Sequence, residues 1–252
     1  MNKWISALRG AFAFLTRLPV PQAEGDWDAF LSRPWTFPIV GYVVGWLVAI
    51  PVLLSGYLPA AAVAFGYLLA VYAVTGIHHL DGVADLGDAL AVHGDVDRRR
   101  EALKDTTTGV GAILAVSLVA AGLAFGGLAL TELDALTAAG IVVVAEISAK
   151  LGMAAMACLG STEYEGMGGT LTGAVGPLGF GISLLVALSM IGLTWPTPTA
   201  VATVAGALFG VGLAWFLAVR HLGGLNGDIF GAANEIGRVA AIHAGVIAWM
   251  LL

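Results

Sequence analysis

The sequence predicts an all-α fold, a polytopic integral membrane helical bundle, and three observations carry that prediction. Hydrophobic residues fill 59% of the 252 positions and charged residues only 11%, where a soluble domain is about 25% charged. Mean hydropathy is +0.91. The apolar residues gather into runs long enough to cross a bilayer as helix, about 20 residues each, with none of the short alternation that marks barrel strands. A sphere of this size cannot enclose so much apolar surface, so lipid must solvate much of the exterior. The net charge of −6 offers nothing to a polyanion, and no nucleic-acid partner is expected. The single cysteine, Cys158, lies in an apolar run without an internal partner.

Residues 1–33 come first and are not a span. Trp4, Leu8, Phe12 and Leu15 recur at helical spacing beside Lys3, Arg9 and Arg17, the pattern of an amphipathic helix lying in the interface. Arg9 and Arg17 leave too little apolar core for a cleaved signal peptide. Seven transmembrane helices follow, at 35–56, 58–76, 110–130, 136–159, 173–194, 199–219 and 238–252, the last short enough to be a partial span. Gly41/Gly45, Gly122/Gly126 and Gly206/Gly210 have the spacing that lets helices pack closely. The whole chain, 1–252, reads as one membrane-embedded domain.

Lys and Arg orient the bundle. Lys3, Arg9, Arg17 and Arg33 precede the first span, Arg98, Arg99, Arg100 and Lys104 follow the second, and Arg220 and Arg238 bracket the loop after the sixth. The connections near 57, 131–135 and 195–198 have none. By the positive-inside rule the N-terminus and the loops after the second, fourth and sixth spans are cytoplasmic. A multi-pass protein of the cell membrane is expected, its polar site facing the cytoplasm; a homo-oligomer is compatible with this reading.

The chemistry sits in those loops. In His78-His79-Leu80-Asp81-Gly82-Val83-Ala84-Asp85-Leu86-Gly87-Asp88, the aspartates Asp81, Asp85 and Asp88 are spaced i, i+4, i+7, which on a helix keeps them within an arc of about 60°. Three like charges on one face repel unless a cation sits among them, and hard oxygen donors suit Mg²⁺ or Mn²⁺ with phosphate oxygens completing the shell. A solvated loop is the plainer alternative. Next, Lys104-Asp105-Thr106-Thr107-Thr108-Gly109-Val110-Gly111 opens the third span. Asp105 offers a fourth carboxylate, Lys104 a phosphate partner, and the backbone N–H groups an anion cradle; equally, Thr108 is a suitable helix N-cap. The loop Gly223 to Glu235 holds Asn226, Asp228 and Glu235, more polar than a connector requires, and Glu163-Tyr164-Glu165 lies before the fifth span. Glu146 and Lys150, i and i+4 inside the fourth span, either neutralise each other or turn Lys150 toward the site. Zinc spacings, nucleophile elbows, Walker loops and dinucleotide fingerprints are absent from the sequence. Carboxylates, amides and a few cations suit metal-assisted transfer of a phosphate-bearing group.

At these residues the chain resembles the cobalamin synthase (adenosylcobinamide-GDP ribazoletransferase) family. The resemblance runs from Phe14-Leu15-Thr16-Arg17-Leu18-Pro19-Val20-Pro21 and Phe37-Pro38-Ile39-Val40-Gly41, through His79 to Asp88 and Lys104-Asp105 with Gly109 and Gly111. It ends at Gly223-Gly224-Leu225-Asn226-Gly227-Asp228 and Gly231-Ala232-Ala233-Asn234-Glu235. Asn226 stands where Thr is common, and Lys150 where Arg often stands. The resemblance implies a Mg²⁺-dependent enzyme joining adenosylcobinamide-GDP to α-ribazole or α-ribazole 5′-phosphate and releasing GMP. It casts Asp81, Asp85 and Asp88 as metal ligands, Asp81, Asp85 and Asp105 as catalytic, and Lys104, Lys150, Asn226, Asp228 and Glu235 as substrate-binding. Two alternatives stay open. A CDP-alcohol phosphotransferase shares the aspartate character, though Ala84 comes one place early, Asp85 replaces the expected Arg region and the spacing is compressed; a cation transporter would also need acidic groups, placed nearer the midplane.

Overall fold

The computed structural model describes residues 2–105, 107–162 and 166–251; Glu163, Tyr164, Glu165 and Thr106 lie outside them. Among the described residues the chain is helical, with one isolated bridge between Ser55 and Leu58. Two short helices, α1 (Lys3–Leu15) and α2 (Asp26–Leu31), precede α3 (Thr36–Ala49), which runs on through a 3-10 turn at Val52–Leu54. Then come α4 (Ala60–Thr75), α5 (His78–Ala91), α6 (Val96–Ala102), α7 (Val110–Leu130), α8 (Ala135–Leu159) and α9 (Met167–Gly173). Helix α10 (Pro177–Ala187) continues as a 3-10 segment, Leu188–Thr194, before α11 (Thr199–Leu222) and α12 (Gly227–Met250).

Five segments are long and apolar enough to cross a membrane: Thr36–Leu54, Val110–Leu130, Ala135–Leu159, Pro177–Thr194 and Thr199–Leu222. Each falls on a predicted span. The second predicted span is different. Helix α4 ends at Gly76, whose φ of +74° suits glycine, and α5 then turns away by 97°. A helix at right angles to a span lies across the bundle end, so α5 is outside the spanning segments. The seventh predicted span also needs correction, because α12 is not among the five segments long and apolar enough to cross. Residues 227–235, read from sequence as loop, are the first turns of α12, which is 24 residues long rather than beginning at 238.

Helix α8 is the axis of the molecule. Its apolar stretch is 94% buried, against 28% for α7, which therefore faces lipid along most of its length. Helices α3, α10, α11 and α12 pack around α8. The glycine pairs seen in the sequence lie at helix contacts: Gly41 and Gly45 on the α8 backbone at Ile147 and Val143, and, against α12, Gly122 and Gly126 at Val239 and Ile242 and Gly206 and Gly210 at Ala240 and Gly237. Small residues let backbones approach where no hydrophobic force drives helices together.

Helix α1 packs with its small face, burying Ser6, Ala7, Gly10 and Ala11, and leaves Trp4 and Ile5 outward. Trp4 therefore suits the lipid interface, while Leu15 of the predicted stripe is buried and Phe12 packs against the core. Arg9 proves to be a clamp: its guanidinium donates to both oxygens of buried Asp26, at 2.9 and 2.7 Å, which holds the Asp26 carboxyl down at about 2. The Arg17 N–H donates to the Val74 carbonyl at 2.7 Å and fastens this unit to the end of α4.

The chain traversals place α1, α2, α5 and α6 at one end of the bundle and the 131–134 turn at the other. In a Cys158→Ala background, Glu132→Cys on intact cells should react with an impermeant thiol reagent while Asp97→Cys is protected. The opposite pattern overturns the orientation.

Candidate active site

Helix α5 places its three aspartates as the spacing predicts. Asp81, Asp85 and Asp88 line one side of a cavity of about 360 Å³, with Lys104, Asp105, Thr107 and Thr108 opposite. Five residues singled out in the sequence thus share one space. Glycines allow it. Gly82 lies so close to the Asp228 carbonyl, and Gly87 to the Gly111 backbone, that any Cβ would collide. Helix α5 is thereby pressed between α12 and α7, and Asp228, from the far end of the chain, reaches the acidic group.

The aspartates differ in their surroundings. Asp88 accepts the Gly109 N–H at 2.7 Å and the Ala112 N–H at 2.8 Å. It therefore caps α7 across the chain, a role the sequence had suggested for Thr108, and it occupies N–H groups read there as a phosphate cradle. Asp105 accepts the Thr107 N–H at 2.9 Å and its hydroxyl at 2.8 Å, which lowers its carboxyl from the usual range. Asp85 is pushed up to about 6, by burial first and then by the Asp228, Asp81 and Asp88 carboxylates. Asn226 is the N-cap of α12, accepting the Ile229 N–H at 3.1 Å, while its amide nitrogen donates to Asp228 at 2.8 Å. Arg99 donates to the Ala89 and Leu90 carbonyls and Arg100 to that of Leu222, so these arginines also bind the ends of α5 and α11.

Comparison with known proteins decides the family, since residues 7–246 match the family model described as Cobalamin-5-phosphate synthase. The chain belongs to this family. An adenosylcobinamide-GDP ribazoletransferase of Halorubrum lacusprofundi is 48% identical over 255 residues, spanning 97% of this chain and 98% of its own. That of Halobacterium salinarum is 49% identical over 203 residues, spanning 79% and 100%. That of Methanocella arvoryzae is 33% identical over 263 residues, spanning 98% and 97%. No solved structure matches the chain. The chain is thus a transferase of cobalamin biosynthesis.

In this cobalamin-5-phosphate synthase family member, Lys150 and Glu235 do not line the cavity. Both are fully buried in the bundle. Lys150 donates to Glu146 at 2.7 Å, and Arg238, also fully buried, donates to Glu146 and to Glu235, the latter at 2.5 Å. The two residues, read from the sequence as substrate-binding, have their side chains in an interior ion-pair network. Arg238 itself had read as a topology marker. Its i, i+3 spacing from Glu235 within one apolar stretch was the available signal, because an intramembrane charge needs a partner.

The cavity's carboxylates fit a hard divalent cation by chemistry: all-oxygen donors, with like charges that add to burial in raising Asp85. Among the described residues, however, no three His, Cys, Asp or Glu side chains stand at the spacing of a shared ion. Asp88 commits both carboxylate oxygens to the N-terminus of α7.

Two measurements check this electrostatic picture. A carboxyl raised in the fold binds its proton more tightly there than in the unfolded chain. Cation-free protein should therefore lose stability as pH rises from about 4 through about 6. Thermal unfolding in detergent should show that slope in wild type and a shallower one in Asp85→Asn, where Asp228, also raised by burial, still contributes. Asp88→Asn, which removes one of two caps on α7, should cost about 1–2 kcal/mol, while exposed Asp81→Asn should leave the melting temperature within a degree or two.

Proposed function

We propose that the chain transfers the adenosylcobinamide phosphate moiety of adenosylcobinamide-GDP to α-ribazole or α-ribazole 5′-phosphate, releasing GMP. The single observation that carries this reading is the convergence of Asp81, Asp85, Asp105 and Lys104 in one open cavity of a family member, with the Asp228 carboxylate near enough to act on Asp85. The curated relatives bear the name of that transfer. A hydroxyl of the ribazole partner forms the new P–O bond, and the P–O bond to GMP breaks.

The protein's own groups divide this work. Asp85, buried among like carboxylates, suits holding a cation, whereas Asp105, fixed by its bonds to Thr107 in the same cavity, accepts the hydroxyl proton. Lys104, exposed at the cavity rim, meets diphosphate oxygens as a point charge. Mg²⁺ held by Asp81 and Asp85, with Asp228 beside them, would neutralise charge on the diphosphate and on departing GMP. Asn226, already bonded to Asp228, orients that carboxylate. The basic residues at this end of the bundle support a cytoplasmic site in the cell membrane, with both substrates arriving from the aqueous side.

Purified protein incubated with adenosylcobinamide-GDP, α-ribazole and Mg²⁺ should yield GMP and the cobalamin product by mass spectrometry. Asp81→Asn should abolish turnover, and Asp228→Asn should lower it by at least about tenfold. Asp134→Asn, at the opposite end and still able to cap α8, should change little. Turnover of a CDP-alcohol donor instead, or equal activity of Asp228→Asn and Asp134→Asn, overturns the proposal.

A further inference from the structure

The first turn of α5 has no side-chain cap; Ile77 stands at its N-cap position. It follows a break in the chain, so local structure does little to fix its rotation about its own axis. What does reach into the bundle is His79, buried, two residues before Asp81. Its Nδ1 stands 3.2 Å from the Asn234 amide nitrogen on α12. The orientation of that amide is set by charge. Asn234 Oδ1 faces Lys150 Nζ at 3.5 Å, and its nitrogen lies 3.2 Å from Glu235 Oε1. Lys150 and Glu235 are held in turn by Glu146 and Arg238. Asn234 therefore presents an N–H to His79, whose Nδ1 must accept, leaving the ring proton on Nε2.

Stability alone does not account for this network. Buried ion pairs are about neutral, or worse, relative to apolar groups of equal volume, and Glu235 Oε2 has no hydrogen-bond partner in the described structure. What the network does supply is a fixed reference that crosses from α8 through α12 to α5. Gly231 packs directly on the His79 backbone, which holds α5 close against α12 where the imidazole meets Asn234. A rotation of α5 by about 10° would displace its carboxylates by roughly 1 Å, a misplacement that can cost on the order of 10²-fold in rate.

We propose that His79 and Asn234 are positioning residues, which lock the rotation of α5 and so set Asp81 and Asp85 against Asp228. This rests on the reading of Asp81 and Asp85 as the working carboxylates. The test compares His79→Leu, which removes the acceptor, with His79→Asn, whose amide oxygen falls near the site of Nδ1, and His79→Gln, whose oxygen falls farther out. Asp81→Asn is assayed beside them. The readouts are kcat and KM for adenosylcobinamide-GDP, together with the rise in melting temperature on adding Mg²⁺ to detergent-solubilised protein.

His79→Leu should lose at least about tenfold in kcat with KM within about twofold, and should gain less stability from Mg²⁺. His79→Asn should recover most of the loss, and His79→Gln should not. Wild-type turnover in His79→Leu overturns the proposal, as does equal impairment of the Asn and Leu variants. Should His79→Leu fail to fold, the Asn and Gln variants decide: at least about fivefold higher kcat for Asn supports positioning, and equality overturns it. An active Asp81→Asn would bring down the active-site reading itself; an inactive one beside a fully active His79→Leu removes only the positioning role.

Discussion

Four charges fully enclosed by a membrane-spanning bundle set the terms for everything around them. Glu146 and Lys150 on α8, and Glu235 and Arg238 on α12, are each far from water, and an unpaired charge there would cost several kcal/mol. Only one alignment of the two helices satisfies all four. Slipping α12 by a single residue would swing Arg238 by about 100° away from Glu146. The ion pairs therefore fix α12 in both height and rotation. Asp228, Gly231 and Asn234 take their positions from that alignment, and α5 takes its position from them.

The second constraint is close approach. An aspartate-bearing helix can lie against two others only where those contacts lack side chains, and Gly82, Gly87, Gly111 and Gly231 provide this. The arrangement divides α5 into an inner edge of glycine and histidine and an outer edge of carboxylates. Asp88 joins both purposes, since it faces the cavity and also closes the N-terminus of α7. The partly positive end of α7 thus lies beside the acidic group and offsets some of its mutual repulsion.

Much of this was legible in the residues. The spans at α7, α8 and α11 follow from hydropathy because their side chains meet either lipid or other apolar groups. The aspartates of α5 were legible because helical periodicity alone aligns them. The start of α12 was not legible. Hydropathy scores Asp228, Glu235 and Arg238 as if each were solvated, while in the fold Arg238 is neutralised by Glu146, 92 residues away. The same holds for Asp88, whose partners lie 21 and 24 residues on; a local rule assigns the cap of α7 to neighbouring Thr108. The turn between α4 and α5 escaped for another reason. Gly76 marks a stop, yet nothing in the sequence gives the angle at which the next helix leaves.

The pairing of Glu146 with Arg238 has a consequence for how the protein is made. Ribosomal synthesis delivers α8 to the bilayer before α12 exists, and His79 precedes its partner Asn234 by 155 residues. During that interval Glu146 has only Lys150 on its own helix to answer its charge, and α5 has no inner surface to rest against. The arrival of α12 supplies the missing cation, the amide and Asp228 in one step. Insertion of one helix therefore completes both the interior and the acidic cavity, and a chain halted before α12 would present neither.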